Sequence, residues 1–172
     1  MVELKEFELK DKAILRKEWE FIRDLPADEN GFTNTSAGIS WEDFLSKYIP
    51  RRIQFLTGEG LEPEMMKQAD YLLWSDGEIV GLFRIRPELN DFLRNVTGGH
   101  IGYGIKKEFR GKGYGTLGLK LALDVLREKS ADSEAFLFVH KDNGASLRVM
   151  QKNGAYIHHE TDENFCTRIP LR

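Results

Sequence analysis

The chain has 172 residues, 41% of them hydrophobic, which is enough for one well-filled core and short for two ordinary domains. A net charge of -3 supplies no global basic field to gather nucleic acid. The single cysteine, Cys166, excludes an intramolecular disulfide, suits a reducing compartment, and reads most simply as a small buried hydrophobe.

The opening MVELKEFELK mixes acids and bases without an apolar core, so no signal peptide is expected there. No apolar run approaches the length of a membrane span. A soluble cytoplasmic protein with no membrane or nucleic-acid partner is the expectation, organised as one domain over residues 1–172. Within it, residues 1–68 would supply a strand and helices on one side, and residues 69–172 the sheet and its principal site.

Residues 2–9 read as a first strand, with Val2 and Leu4 in phase and Phe7 and Leu9 in phase after a slip. Asp11 offers an N-cap for a helix to about residue 24, on which Ile14, Leu15, Trp19 and Ile22 share a face before Pro26. Residues 27–38 are polar and glycine-containing, which predicts a loop. Ser40 to Asp43 reads as a capping box opening a second helix, with Phe44, Leu45, Tyr48 and Ile49 on one face. Pro50 should kink or divide that helix. Asp76-Gly77 between apolar runs at 71–75 and 78–85 predicts a hairpin, ended by Pro87. A polar run to Thr97 then leads to a strand over 99–105, a helix over 117–126 and a strand over 136–139. That strand–helix–strand order predicts one parallel, right-handed βαβ unit in a mixed, mostly antiparallel sheet flanked by helices. Asn143 caps a short helix to Lys152, Gly154 stops it, and runs at 156–161 and 165–169 close the sheet as a hairpin.

Residues 98–115, GGHIGYGIKKEFRGKGYG, carry the chemistry. Alternation places Ile101, Tyr103 and Ile105 on one face of the strand and His100, Gly102 and Gly104 on the other. A strand with interior glycines packs poorly and suits a ligand lying close along its backbone. The turn Arg110-Gly111-Lys112-Gly113-Tyr114-Gly115 then enters the helix, whose first amides have no helical partner and carry the positive end of the dipole. This is an anion site. A P-loop fails here, because Lys106 stands where its first glycine should be and Gly113 follows Lys112. A dinucleotide fingerprint matches at Gly113, Gly115 and Gly118, but the residues from Lys106 to Lys112 separate it from its strand.

The pattern Arg-x-x-Gly-x-Gly at Arg110, Gly113 and Gly115, preceded by Tyr103-Gly104-Ile105, resembles motif A of the GNAT (Gcn5-related) N-acetyltransferases. Asn143-Gly-Ala-Ser146 followed by Lys152-Asn153-Gly154 resembles the family's second motif. The resemblance covers residue 71 to the C-terminus and implies a GNAT-type sheet and acetyl-CoA as co-substrate, with no metal. It implies that the backbone of Tyr103, Gly104 and Ile105 pairs with the pantetheine arm. It places the pyrophosphate on Arg110, Gly111, Lys112, Gly113, Tyr114 and Gly115, with Asn143 beside them.

The reaction so implied is attack of a primary amine, on a small molecule or a protein, at the acetyl thioester. By resemblance, a free amide near Ile105 would hold the carbonyl. Many family members place a tyrosine seven residues after the motif asparagine; here that position is Met150, and the family's terminal phenylalanine is Ala155. Tyr156 follows, on the next strand, and reads as packed. No catalytic base is named. His100 reads as a satisfied structural histidine, His140 has the same default, and Tyr103 shares the Ile105 face. His158 and His159 should point to opposite faces of a strand, so they make no metal clip, and no cluster has zinc spacing.

Family members also use the segment before the sheet to wall the acceptor site, here residues 30–56. Its plain reading is Trp41 and Tyr48 in the core with Arg51 and Arg52 solvated. The alternative adds Phe32 to these and makes an aromatic, basic-edged pocket for an acceptor with an acidic or aromatic part. Dimerisation is common among similar proteins. Two other readings stay open: a non-catalytic acyl-CoA-binding module, motivated by Met150, and a nucleotide or nucleic-acid binder using Lys106, Lys107, Arg110 and Lys112.

Overall fold

Turn chemistry and apolar alternation decide most of the architecture. A computed structural model describes residues 1–29 and 32–172, Glu29 by its backbone alone. In chain order the elements are β1 (Val2–Glu6), α1 (Lys12–Asp24), β2 (Asp28–Glu29), β3 (Phe32–Thr33), α2 (Trp41–Asp43), a π-helical turn (Phe44–Tyr48), α3 (Ile49–Thr57), β4 (Ala69–Ser75) and β5 (Glu78–Ile85). Then follow α4 (Asp91–Asn95), β6 (Ile101–Ile105), a 3-10 turn (Lys107–Phe109), α5 (Tyr114–Lys129), β7 (Glu134–His140), α6 (Gly144–Lys152), β8 (Tyr156–Glu160) and β9 (Asn164–Pro170).

Asp76 and Gly77 both take positive φ, 51° and 87°, and this mirror-image turn matches the twist of the strands it joins. It sets β4 on β5 in the register Ser75 to Glu78, and β1 and β6 add on either side in a sheet ordered β1-β4-β5-β6. A second sheet is ordered β7-β9-β8. Both are antiparallel throughout.

β6 and β7 are the facing edges of the two sheets. They start together, where His100 N–H donates to the Phe136 carbonyl at 2.8 Å, and run the same way. No ladder among the described residues joins them beyond that point. The expected βαβ unit is therefore present as strand, helix and strand, with its strands joined at one end and splayed at the other.

Alternation along β4 and β5 fills both faces of the first sheet. Tyr71, Leu73, Phe83 and Ile85 join Leu119, Leu123 and Leu126 of α5 and Leu137 and Ile169 of the second sheet in the larger core. Leu72, Ile79 and Leu82 face α1 and the π-helical turn, where Leu15, Trp19, Ile22 and Phe44 form the smaller one. Asp11 caps α1 by accepting from Ala13 and Ile14 N–H, as its position predicts. Ile14 itself stays 37% exposed, and Phe21 takes the buried place.

Four expectations are adjusted. β1 ends at Glu6, and Phe7 leaves the strand to enter the smaller core. The segment expected as a loop carries the short β2–β3 ladder, with its Asn30 and Gly31 outside the described residues. Pro50 neither kinks nor divides the helix in the expected way. The turn before it is π-helical, with Ile49 N–H bonded to the Phe44 carbonyl, and Pro50 falls in the first turn of α3, where a missing N–H leaves nothing unpaired. The polar run after Pro87 contains α4, capped by Asn90 Oδ1 accepting from Leu93 N–H.

Candidate active site

The splay between β6 and β7 opens a slot of about 560 Å³. Its walls come from β5 and β6, the glycine turn, the start of α5, the end of β7 and α6. The register of β6 decides what it offers. Arg86 N–H bonds to the His100 carbonyl and Lys106 N–H to the Val80 carbonyl, so by antiparallel alternation Gly102 and Gly104 also bond toward β5. The N–H and C=O of Tyr103 and Ile105 therefore turn the other way, into the gap where no strand pairs with them. Arg110 Nε donates to the Ile105 carbonyl at 3.0 Å and braces the end of the strand. Unpaired buried backbone amides are rare, and a slot lined by them suits a ligand that supplies the missing strand.

The turn follows. Gly111 and Gly113 take φ of 73° and 86°, a region that costs other residues about 1 kcal/mol. Gly113 is the N-cap of α5, and the N–H groups of Tyr114, Gly115 and Thr116 have no acceptor within the helix. Arg110, Gly111, Gly113, Tyr114 and Gly115 all line the slot. Lys112 does not; its ammonium lies 5.4 Å from the Phe109 ring centre. Gly118, the third glycine of the dinucleotide match, faces the Phe83 ring, where a Cβ would collide, so its place is explained by helix–strand packing.

Across the slot, Asn143 Oδ1 accepts from Ser146 N–H at 3.0 Å and starts α6. Tyr103 reaches over from β6, its ring stacked on Phe83 and its hydroxyl 2.7 Å from Ser146 Oγ. Burial pushes the Tyr103 hydroxyl up to about 12, so it holds its proton at neutral pH. Met150 lines the slot and is buried, its sulfur accepting from Thr167 Oγ1 at 3.4 Å.

The other end of the slot lies on the side of the smaller core. Phe32, Arg84, Arg86, Thr97 and Gly98 form it. Behind them Asp70 is fully buried and accepts from Arg52 Nη1 at 2.7 Å and Arg84 Nε at 2.9 Å, with Tyr48 Oη at 3.4 Å. Burial alone would raise the Asp70 carboxyl; the charges of Arg84 and Arg52 overcome it and hold the group at about 2. The plain reading of the 30–56 segment thus holds for Tyr48 and fails for Arg52, whose side chain is only 13% exposed, while Arg51 pairs at the surface with Glu62. The network of Arg52, Asp70, Arg84 and Arg86 was not singled out from sequence. Its available signal was the pair of arginines alternating with Ile85 at the end of an otherwise apolar strand.

The histidines stand apart from the chemistry. His100 is buried outside the slot wall. Its Nδ1 accepts from Phe136 N–H at 2.9 Å, which makes Nε2 the donor to Asp132 Oδ2 at 3.0 Å. Burial pulls it down to about 4 against the opposing charge of Asp132, so it is neutral at pH 7 and clasps the two sheets. His140 is exposed at the slot's rim. Two expectations need correction. Tyr156 is 45% exposed and donates to Glu134 Oε1 rather than packing. His158 and His159 do not oppose each other: the register of β8 shifts between Ile157 and His159, and this bulge brings their Nδ1 atoms to 2.9 Å. No group of three or more metal-binding side chains is assembled among the described residues.

The slot lies between splayed strands and is closed by a glycine turn at a helix start. Residues 37–155 match the model of the acetyltransferase (GNAT) family, and the chain belongs to that family. Among solved structures it is similar to the GNAT-family acetyltransferase of Streptococcus pneumoniae, at 14% identity over 100% of both chains with a TM-score of 0.65. It is similar to the GNAT domain of S. lividans PAT, at 12% identity over 98% of this chain and 90% of that one, TM-score 0.66. The Campylobacter jejuni N-acetyltransferase PseH, solved in complex with acetyl coenzyme A, is 14% identical over 100% of both chains, TM-score 0.62. At these identities the likeness is one of fold. No curated protein sequence matches the chain. Among the described residues no helix is long and apolar enough to cross a membrane.

Proposed function

We propose that the protein is a cytoplasmic, acetyl-CoA-dependent N-acetyltransferase acting on a primary amine. The observation that carries this reading is the exposed inner edge of β6, where the amides of Tyr103 and Ile105 face a slot that ends at the glycine turn. A pantetheine arm carries amide groups of its own and pairs with such an edge as an added strand would. The pyrophosphate falls at Gly111, Gly113, Tyr114 and Gly115, where backbone N–H groups and the helix dipole meet its charge. Arg110 and Asn143 shape that end of the slot, and Lys112 contributes charge from outside its wall.

The amine loses a proton, its nitrogen bonds the thioester carbonyl carbon, and the carbon–sulfur bond breaks to leave a thiolate that takes a proton. The Ile105 N–H, unpaired in the slot, suits the developing charge on the carbonyl oxygen. Tyr103 retains its proton at neutral pH and lies on the slot wall, so it serves as the acid for the thiolate in place of the residue that Met150 replaces. No carboxylate lines the slot among the described residues, so water carries the ammonium proton to solvent past the rim.

The test is a calorimetric titration of the purified protein with acetyl-CoA and, in parallel, NADH, followed by thiol release with a panel of amines. Acetyl-CoA binding with turnover supports the reading. Binding of NADH alone overturns it, and acetyl-CoA binding without thiol release from any amine favours the non-catalytic module.

A further inference from the structure

The acceptor end of the slot is more highly charged than its fold requires. Arg84 in β5 and Arg86 one residue beyond its end, where its N–H still bonds the His100 carbonyl, alternate around Ile85 and so share a face, and both line the slot. Arg84 stands opposite Gly102 in register, and the place a side chain there would take is met by the Phe32 ring, 3.7 Å from a Cβ built on Gly102. Nε and Nη2 of Arg84 are committed to Asp70. Arg86 donates Nη1 to the Gly99 carbonyl at 3.2 Å, and no carboxylate among the described residues pairs with it. Arg52 and Arg84 thus share the one carboxylate of Asp70 with Arg86 close by, and of these three guanidiniums' charges two are left over. Burial, then the neighbouring charges of Arg84 and Arg52, draw Arg86 down to about 10, yet it remains cationic at neutral pH.

A cation held partly out of water without a counter-ion is costly, and structures keep one where a ligand supplies the missing charge. A guanidinium fork matches a carboxylate with two parallel hydrogen bonds, a geometry that a single point charge lacks. Phe32 lies on the same wall, its ring centre 5.3 Å from Arg84 Cζ, and gives an apolar surface beside the charge.

We propose that the acceptor carries a carboxylate beside its amine, as a free amino acid does, and that Arg86 with Nη1 of Arg84 holds that carboxylate. This deepens the acetyltransferase reading and rests on it. The same leftover charge repels a polyamine, whose second and third ammonium groups would have to lie against Arg84 and Arg86.

The test offers the full chain the common amino acids, each beside its α-amide, together with spermidine, and follows thiol release from acetyl-CoA. Calorimetry of the CoA-loaded protein with the same acid and amide pairs reads binding without turnover. At least one acid is expected to exceed its amide about tenfold or more in kcat/KM, mostly through KM, with the same order in binding. Arg86→Gln, which keeps a donor for the Gly99 carbonyl, should bring that ratio close to one. Acids no better than amides in both assays overturn the proposal, as does spermidine as the preferred acceptor or an Arg86→Gln loss that falls equally on acid and amide. Failure of acetyl-CoA to bind is a different result: it removes the acetyltransferase reading, and the acid–amide difference in calorimetry of the protein without CoA still decides the anion subsite.

Discussion

In the function proposed above, the two ends of the slot recognise their ligands by opposite means. At the cofactor end the working groups are main-chain amides of Tyr103, Ile105 and the turn, and side chains mostly keep out of the way. At the acceptor end they are side chains, Arg84 held by the buried carboxylate of Asp70 and Arg86 by the Gly99 carbonyl. A backbone site constrains the chain locally, because each amide must take one conformation. A side-chain site constrains it globally, because Asp70, Arg52 and Arg84 meet only when α3 has docked on the sheet. The first is broken by a Cβ in the wrong place and the second by the loss of a distant charge.

The largest effect should come from Asp70→Asn. Arg52 and Arg84 would then face each other with no counter-ion, at a cost of about 3–5 kcal/mol in urea unfolding. A loss under about 1 kcal/mol would show that the acceptor end is not held electrostatically. Next is Gly113→Asp. No atom lies within 4 Å of a Cβ placed there, so the fold should survive at about 1 kcal/mol for the positive φ. Acetyl-CoA affinity should fall at least about a hundredfold, because a carboxylate takes the place of the pyrophosphate. Wild-type affinity in that variant would move the cofactor site elsewhere.

The third tests the joint between the ends. His100 is held at about 4 in the fold against an ordinary value near 6.5, so the unfolded chain binds the extra proton. Its contribution is complete above pH 6.5 and is lost as the pH falls toward 4, on the order of 2–3 kcal/mol. Urea unfolding of the wild type should show this slope over that window, and His100→Gln should flatten it. Glu18, raised to about 8 by burial, runs the other way and loses stability as pH climbs from about 4.5, so the difference between the two proteins, not the raw curve, is the measurement. Fourth, Tyr103→Phe should lower kcat about tenfold to a hundredfold with the acetyl-CoA Kd nearly unchanged. An unchanged kcat would remove Tyr103 as the acid. The smallest effect belongs to Lys112→Ala, under about threefold on the acetyl-CoA Kd, since that ammonium lies off the slot wall.

This contrast also explains what the sequence discloses. The Asp76-Gly77 hairpin and the glycine turn are local events, written in residues that only certain backbone angles accept, and both appear where their residues place them. The caps at Asp11, Ser40 and Asn143 are legible for the same reason. The arginine network is not, because an arginine bound for a buried carboxylate looks like any surface arginine until tertiary contacts exist. Only the placement of Arg84 and Arg86 around Ile85, on a strand with little solvent to face, carries a trace of it. The His158–His159 contact was hidden by a bulge, which shifts the alternation on which the facing of strand side chains is reasoned. The π-helical turn before Pro50 is a packing compromise of the same kind, since it keeps Phe44 and Tyr48 stacked in the smaller core.

The clasp at His100 has a metrological consequence. It fixes where the two sheets cease to touch, and the turn fixes where β6 ends, so the stretch between them has a set length of about 17 Å at some 3.3 Å per residue. A molecule anchored by its phosphates at the turn is thereby indexed against the strand, with its far end brought to one particular peptide unit. β6 is a ruler graduated in residues. Loops elsewhere tolerate insertion, but one extra residue here would shift the reading by a whole graduation and turn the next side chain to the opposite face.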